Sequence, residues 1–336
     1  MATDGTTPLL QVENLKKQFH VRMRGARENR LLRAVDGVSL HLEAGETLGI
    51  LGESGCGKST LARLIVGLEG PSDGRILIDG EDIWAPGAAG RARRRKFQMV
   101  FQNPAGSMNP RRTVGASVAE PLQAKGVRNT AEAVERMLTL VGLDPALATR
   151  KPHQLSGGQQ QRASIARALI ADPAIVVHDE SIASLDISLQ AQILNLLLDL
   201  QQDLGTSYIF ISHDLAAVQA ISHRVIVMYL GEVVEASDST AFASRPLHPY
   251  SIALRTATLL PDPAHERGRG DTALRGDVPS PMNPPSGCRF HTRCPLATDL
   301  CLQQKPLLRD AGGGHLVACH YAEAETQAAE TAEEAL

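Results

Sequence analysis

One run of nine residues constrains this chain more than any other part of it: Gly52-Glu53-Ser54-Gly55-Cys56-Gly57-Lys58-Ser59-Thr60. It follows the apolar stretch Leu48-Gly49-Ile50-Leu51 and precedes a helical pattern from Leu61 to Leu68. A glycine-rich turn between a strand and a helix can curl until successive backbone N–H groups point inward, and the helix adds the positive end of its dipole. In that nest Lys58 offers a mobile cation to the β/γ-phosphates and Ser59 a hydroxyl to Mg²⁺, so the loop suits a nucleoside triphosphate. At average residue frequencies the pattern arises by chance in roughly one chain per hundred of this length, before its strand-and-helix context is counted. Cys56 reads as a small filler whose thiol, at a helix N-terminus, is open to alkylation when nucleotide is absent.

The surrounding sequence fits an α/β fold. From Leu9 to about Val234 short β-rich runs alternate with longer helical patterns, the habit of a sheet covered by helices. Ala174–Val177 and Tyr208–Ile211 read as buried strands, and Arg224–Met228 with Glu232–Glu235 as a hairpin turning at Gly231. Apolar residues make up 43% but aromatics only 3%, so the core has to be aliphatic. The strand Ala174-Ile175-Val176-Val177-His178-Asp179-Glu180 ends in two carboxylates at the carboxyl edge of the sheet, where ligands of α/β folds sit. Successive strand residues point to opposite sides, which gives the two acids different tasks: Asp179 to hold Mg²⁺, Glu180 to polarise an attacking water. Between Asn103 and Gln154 the strand signal vanishes, while Ala131–Val141 and Ala163–Ile170 carry a helical period, so an inserted helical lobe is expected at about 103–170. A net charge of −3 lacks the basic excess of a nucleic-acid binder, and no nucleic-acid partner is expected.

The run Leu155-Ser156-Gly157-Gly158-Gln159-Gln160-Gln161-Arg162 adds a second glycine-permitted turn with a hydroxyl at a helix N-terminus. One triphosphate loop thus comes with two phosphate cradles. Together these residues resemble the ATP-binding subunits of ABC transporters, whose LSGGQ signature is diagnostic of that superfamily. The order matches over nearly the whole chain: phosphate loop, Gln102 in Val100-Phe101-Gln102, signature, Asp179-Glu180, a D-loop at Ala183-Ser184-Leu185-Asp186, and His213 in Ile211-Ser212-His213-Asp214. The resemblance implies a P-loop NTPase of the α/β class, an ABC-type nucleotide-binding domain with an inserted helical lobe and a small Cys-containing C-terminal extension. It implies head-to-tail pairing around two ATP molecules, with Ser156, Gly157, Gly158 and Gln159 of one domain closing on the γ-phosphate held by Gly52–Thr60 of the other. Gln102 is then expected to bridge Mg²⁺ and the lobe, His213 to bond the γ-phosphate, and Phe19 to stack on adenine. Two positions depart from the family pattern. His178 stands where a small residue is usual and Ser181 where proline is; neither removes a catalytic group, and His178 reads as a core histidine in need of one hydrogen-bond partner, with a modest brake on the site as the alternative. Soluble ABC ATPases are the first rival, but the repair type needs a long coiled coil where 96 positions separate Ser59 from Leu155, and the translation type carries two cassettes. A GTPase or small kinase fails on the signature and on a missing base-reading motif.

His248-Pro249-Tyr250, Gly276–Pro281, Asn283–His291 and Val317-Ala318-Cys319-His320 resemble the C-terminal extension of dipeptide/oligopeptide importer ATPases. Leu185–Gln192 and Leu15–Phe19 are similar to the F-type subunit of those systems, with a nickel or glutathione importer of the same branch left open. The implied organisation is an ATPase domain at 1–246, the extension at 247–321 and an acidic disordered tail at 322–336. The implied partners are a second ATPase subunit, the D-type paralogue, two transmembrane permease subunits and, indirectly, a periplasmic or extracellular substrate-binding protein. With no apolar run long enough to span a bilayer and no leader-like start, the chain is expected at the cytoplasmic face of the bacterial inner membrane as a peripheral subunit. Cys288, Cys294, Cys301 and Cys319 are spaced x5, x6 and x17, which matches neither ferredoxins nor paired C-x2-C zinc sites. Their crowding in a proline-rich segment too short for its own core argues for a metal staple. The resemblance implies a [4Fe–4S] cluster there; zinc and unligated thiols stay open.

Overall fold

The structure, a computed structural model, describes residues 7–22, 29–257 and 276–322. The expected acidic tail, apart from Ala322, and the Pro/Gly/charge segment 261–270 lie outside the described residues. An eight-stranded sheet forms the centre, in the order β11-β12-β10-β9-β3-β8-β7-β6. Its strands β3 (Thr47–Leu51), β6 (Phe97–Val100), at the edge, β7 (Ile175–Asp179), β8 (Ser207–Ser212) and β9 (Arg224–Tyr229) are mutually parallel. Every residue of β3, β7 and β8 is buried, which is why they read as unbroken apolar runs: parallel strands covered on both faces have no solvent side to mark with polar residues. The two faces still alternate. Leu48, Ile50, Ile175, Val177 and Ile209 join one core cluster, and Val176, Tyr208 and Phe210 the other.

The first cluster is closed by an antiparallel sheet, β2-β1-β4-β5, built from β1 (Leu10–Arg22), β2 (Asn29–Leu42), β4 (Asp73–Ile78) and β5 (Glu81–Asp82). The second is closed by helices. Between β6 and β7 lie α3 (Pro104–Ser107), α4 (Val114–Val118), α5 (Glu120–Ala124), α6 (Ala131–Leu140) and α7 (Gly157–Leu169), following α1 (Lys58–Ile65) and α2 (Gly87–Arg94). After β7 come α8 (Ile187–Leu204), α9 (Leu215–Ile221), then β10 (Glu232–Asp238), α10 (Ser239–Ser244) and α11 (Pro249–Ala257).

Three local outcomes differ from the sequence expectation, each for a physical reason. Helix α1 starts at Lys58 and ends at Ile65, because Gly67 at φ +75° takes the left-handed conformation that stops a helix; Leu68 falls outside it. Helix α7 begins at Gly157, ahead of its apolar period, because Ser156 and Gln159 form a reciprocal capping box that offsets the low propensity of two glycines. The C-terminal extension, expected as a separate element, instead continues the central sheet. Its β12 (Leu316–Val317) pairs with β10, and β11 (Arg309–Asp310) pairs with β12. Among the described residues no helix is long and apolar enough to cross a membrane.

Candidate active site

The loop from Gly52 to Thr60 joins β3 to α1 at the carboxyl edge of the parallel strands. Gly57 caps α1 at φ +109°, and a Cβ there would stand 2.2 Å from the Ala34 carbonyl oxygen, so glycine is required on both counts. Lys58 is 4% exposed, and its Nζ donates to the Gly52 carbonyl at 2.6 Å and the Glu53 carbonyl at 3.0 Å. Ser54 and Gly55 are exposed at the rim, and Thr60 is half-buried. Cys56 is buried and burial raises its thiol pKa, so the alkylation expected of an accessible thiolate is not matched.

Opposite the loop, Ser59 Oγ donates to Asp179 Oδ1 at 2.9 Å. Burial raises the Asp179 pKa, with the Ser59 hydrogen bond opposing and the Glu180 charge adding. A hydroxyl and a carboxylate oxygen at that separation form the hard-oxygen donor set that suits Mg²⁺. Glu180 receives the remaining groups. Lys58 Nζ lies 3.7 Å from its Oε1, Gln102 Nε2 donates to its Oε2 at 3.0 Å, and His213 Nδ1 lies 3.8 Å from Oε1. Three other stretches of sequence therefore meet at the Glu180 carboxylate. The means differ from strand alternation: β7 ends at Asp179, and Glu180 turns out of the strand at φ +47°, a strained backbone for a glutamate.

The signature turn is elsewhere. Ser156 and Gly157 are exposed and Gln159 is half-buried, and Ser156 and Gln159 bond each other at 3.0 and 3.3 Å. Gly158 packs on α8, where a Cβ would come within 2.8 Å of Leu189. The turn faces a cleft of about 550 Å³ shared with Ser184 and Asp186. Among the described residues no hydrogen bond or ion pair joins it to the phosphate loop. Phe19 also stands apart, half-buried on β1, with Lys17 Nζ 5.0 Å from its ring centre.

The two departures from the family pattern touch each other: His178 Nδ1 lies 3.5 Å from Ser181 Oγ. The ring packs edge-on to Tyr208, and burial depresses its pKa to about 3, so it is a neutral core histidine; among the described residues its Nε2 has no hydrogen-bond partner.

The four C-terminal cysteines line one cavity of about 10 Å³, roughly the room of a single water. Burial pushes the thiol pKa of Cys288 up to about 11 and that of Cys294 to about 12. Among the described residues no three His, Cys, Asp or Glu side chains are grouped to hold a metal ion. The [4Fe–4S] expectation therefore gains no support from the structure as it stands, and neither does zinc. Sequence reasoning also missed Arg293 and Tyr250 as neighbours of the phosphate loop; Tyr250 stands out only as part of the His248-Pro249-Tyr250 motif, and Arg293 lies outside every motif of the extension.

A phosphate loop facing a strand-end Asp–Glu pair, with a helical lobe between them in sequence, defines a P-loop ATPase of the ABC type. Comparison with known proteins agrees. The family model described as ABC transporter matches residues 35–183, and that described as oligopeptide/dipeptide transporter, C-terminal region, matches residues 234–301. The chain is 50% identical over 322 residues to a probable peptide ABC transporter ATP-binding protein, y4tS, of Sinorhizobium fredii, covering 93% of this chain and 89% of the relative. It is 47% identical over 318 residues to the dipeptide transport ATP-binding protein DppF of Escherichia coli, covering 93% and 94%. Among solved structures, the dimeric ATP-binding cassette MJ0796 bound to ADP and Pi is 30% identical with a TM-score of 0.60, covering 68% of this chain and 98% of that one. The chain belongs to the ATP-binding proteins of oligopeptide/dipeptide ABC transporters.

Proposed function

We propose that this chain is the ATP-hydrolysing motor subunit of a bacterial importer of di- or oligopeptides, acting from the cytoplasmic face of the membrane. The observation that carries the reading is the convergence of Lys58, Gln102 and His213 on Glu180, beside the Ser59–Asp179 pair. In this reading the nest of Gly52–Thr60 holds the triphosphate, and Lys58 leaves its loop carbonyls for the phosphate oxygens. Ser59 and Asp179, with Gln102, would hold Mg²⁺, which when bound neutralises charge on the β/γ-phosphate oxygens. Glu180 accepts the proton of the attacking water, and His213 orients it by hydrogen bonding at the γ-phosphate. Phe19 supplies an aromatic face for adenine.

The exposed signature turn is assigned to a partner's nucleotide. Ile187, beside Asp186, is 86% exposed, an apolar side chain suited to a seam with a second ATPase subunit, here taken to be the D-type paralogue. A groove of about 310 Å³ between Phe97, Met99 and Phe101 on one side and Ser164 and Arg167 on the other supports docking of the permease subunits where the helical lobe meets the sheet. A peptide-binding protein outside the membrane would deliver the cargo. Co-purification with the permeases tests the reading: peptide-stimulated ATP turnover is expected, and turnover indifferent to every di- and oligopeptide, yet stimulated by nickel or glutathione, would reassign the cargo.

A structural [4Fe–4S] centre held by Cys288, Cys294, Cys301 and Cys319 is a second proposal within this reading; it rests on the crowding of these four cysteines in the extension and requires their side chains to move apart, the present cavity having room for a single water. Iron and sulfide analysis of anaerobically purified protein tests it; iron-free protein would leave packed thiols.

A further inference from the structure

The segment from Cys288 to Cys294 faces two ways. Its terminal cysteines line the small cavity, while Arg289 and Arg293 reach back into the ATPase core. Arg289 donates to the Leu230 carbonyl and to Asp36, and lies 2.9 Å from Glu232, so it fastens the extension to β2 and the β9–β10 turn. Arg293, 6% exposed, sets both terminal nitrogens on the carboxylate of Glu53, at 2.6 and 3.0 Å. That two-point fork is the strongest and most directional form an ion pair takes.

The same Glu53 is held at its backbone. Its N–H donates to the Tyr250 hydroxyl at 2.8 Å, and its carbonyl receives Lys58 Nζ at 3.0 Å. Tyr250 is fully buried, its ring 4.8 Å from that of Tyr229 and 5.4 Å from that of Phe290, while the Arg293 guanidinium lies 5.9 Å from the Tyr229 ring centre. In a chain with four tyrosines and six phenylalanines, this aromatic cluster sits against one residue of the phosphate loop. Glu53 lies between Gly52 and Gly55, where the backbone would otherwise have the most freedom. All of its polar groups are engaged, and three of the five hydrogen bonds come from Tyr250 and Arg293, remote in sequence.

We propose that Arg293 and Tyr250 are positioning residues of the phosphate loop: the C-terminal extension grips Glu53 by side chain and backbone and holds the loop in the curl that receives a triphosphate. The inference rests on the reading of this loop as the nucleotide cradle and adds that nucleotide affinity depends on the extension. Pre-organisation of this kind acts by removing the ordering cost that a loose loop would charge against binding.

The test uses the full chain with Mg²⁺ and ATP. Tyr250→Phe removes one hydroxyl and keeps the ring packed; Arg293→Lys keeps the charge and loses the fork; Arg293→Gln loses both. ATP affinity is expected to fall roughly tenfold in Arg293→Gln and about threefold in Tyr250→Phe, with Arg293→Lys between, and KM to rise by more than kcat falls. The double variant Glu53→Gln/Arg293→Gln is expected to bind no worse than Arg293→Gln, since the two groups act as one. Peptide-mapped labelling of buried Cys56 by N-ethylmaleimide is expected to rise several-fold at an unchanged melting temperature, a sign of local loop opening that a general loss of stability does not produce. Wild-type affinity and unlabelled Cys56 in both Tyr250→Phe and Arg293→Lys would overturn the proposal. Failure of the wild-type chain to bind ATP at all would overturn the nucleotide reading itself.

Discussion

Two glycine-rich turns in this chain can present backbone N–H groups to phosphate, and they live in opposite surroundings. The loop 52–60 is wired inward: its lysine is buried, its serine bonds Asp179, and Glu180 stands within reach. Among the described residues the side chains of Ser156 and Gln159 hydrogen-bond only within the turn, through a capping box, and the turn looks onto an open cleft. The contrast separates capture from completion. In the proposed function one cradle has the hydrolytic carboxylate Glu180 beside it, whereas the other is a capped helix end that opens on a cleft and serves a phosphate brought to it by another subunit.

The largest test breaks the inward side. Glu180→Gln keeps the shape and the Gln102 contact but loses the base, so ATP turnover is expected to drop by about 10²–10⁴-fold with ATP binding retained. Unchanged steady-state hydrolysis would remove Glu180 from the chemistry. Next, Ser156→Arg fills the outward turn: turnover is expected to fall by at least about 10²-fold while the same chain's affinity for ATP stays within about twofold. A large loss of affinity would mean that both cradles serve one nucleotide within one chain. A smaller effect is expected at the seam. Ile187→Asp should weaken ATP-dependent association of subunits by about 10–100-fold, the equivalent of re-exposing one aliphatic side chain, as read by sedimentation in the Glu180→Gln background.

The smallest effect sharpens the role of the extension. Burial holds the His248 imidazole neutral, with its pKa lowered to about 4 against the opposing charge of Glu235. Between pH 4 and the ordinary histidine value the unfolded chain binds a proton that the folded chain refuses. Stability from this group is therefore present above that window and lost as pH falls through it. His248→Asn is expected to flatten the fall of melting temperature over this range; an unaltered slope would place His248 outside the acid response.

Much of the inward site was legible because each of its parts is a local pattern. Glycine spacing, a strand before and a helix after identify the phosphate loop, and a strand ending in Asp179-Glu180 marks the facing edge. The turn of Glu180 at φ +47° was not legible, since alternation along a strand predicts nothing about the residue beyond its end. The pairing of His178 with Ser181 was equally hidden, although the two residues were conspicuous one at a time. The grip of Arg293 on Glu53 spans 240 positions, and no periodicity links an arginine in a cysteine-rich segment to a glutamate in a glycine-rich one.

The sequence by itself determined the class of fold, the chemistry of the triphosphate cradle and the family, because short-range geometry fixes where N–H groups, hydroxyls and carboxylates can point. Only the tertiary structure decided which of those groups meet. It brought the extension into the central sheet through β12 and set Arg293 and Tyr250 beneath the phosphate loop. The reason is that contacts between distant segments follow from how whole faces bury together, a property of the packed sheet that no single stretch of chain carries.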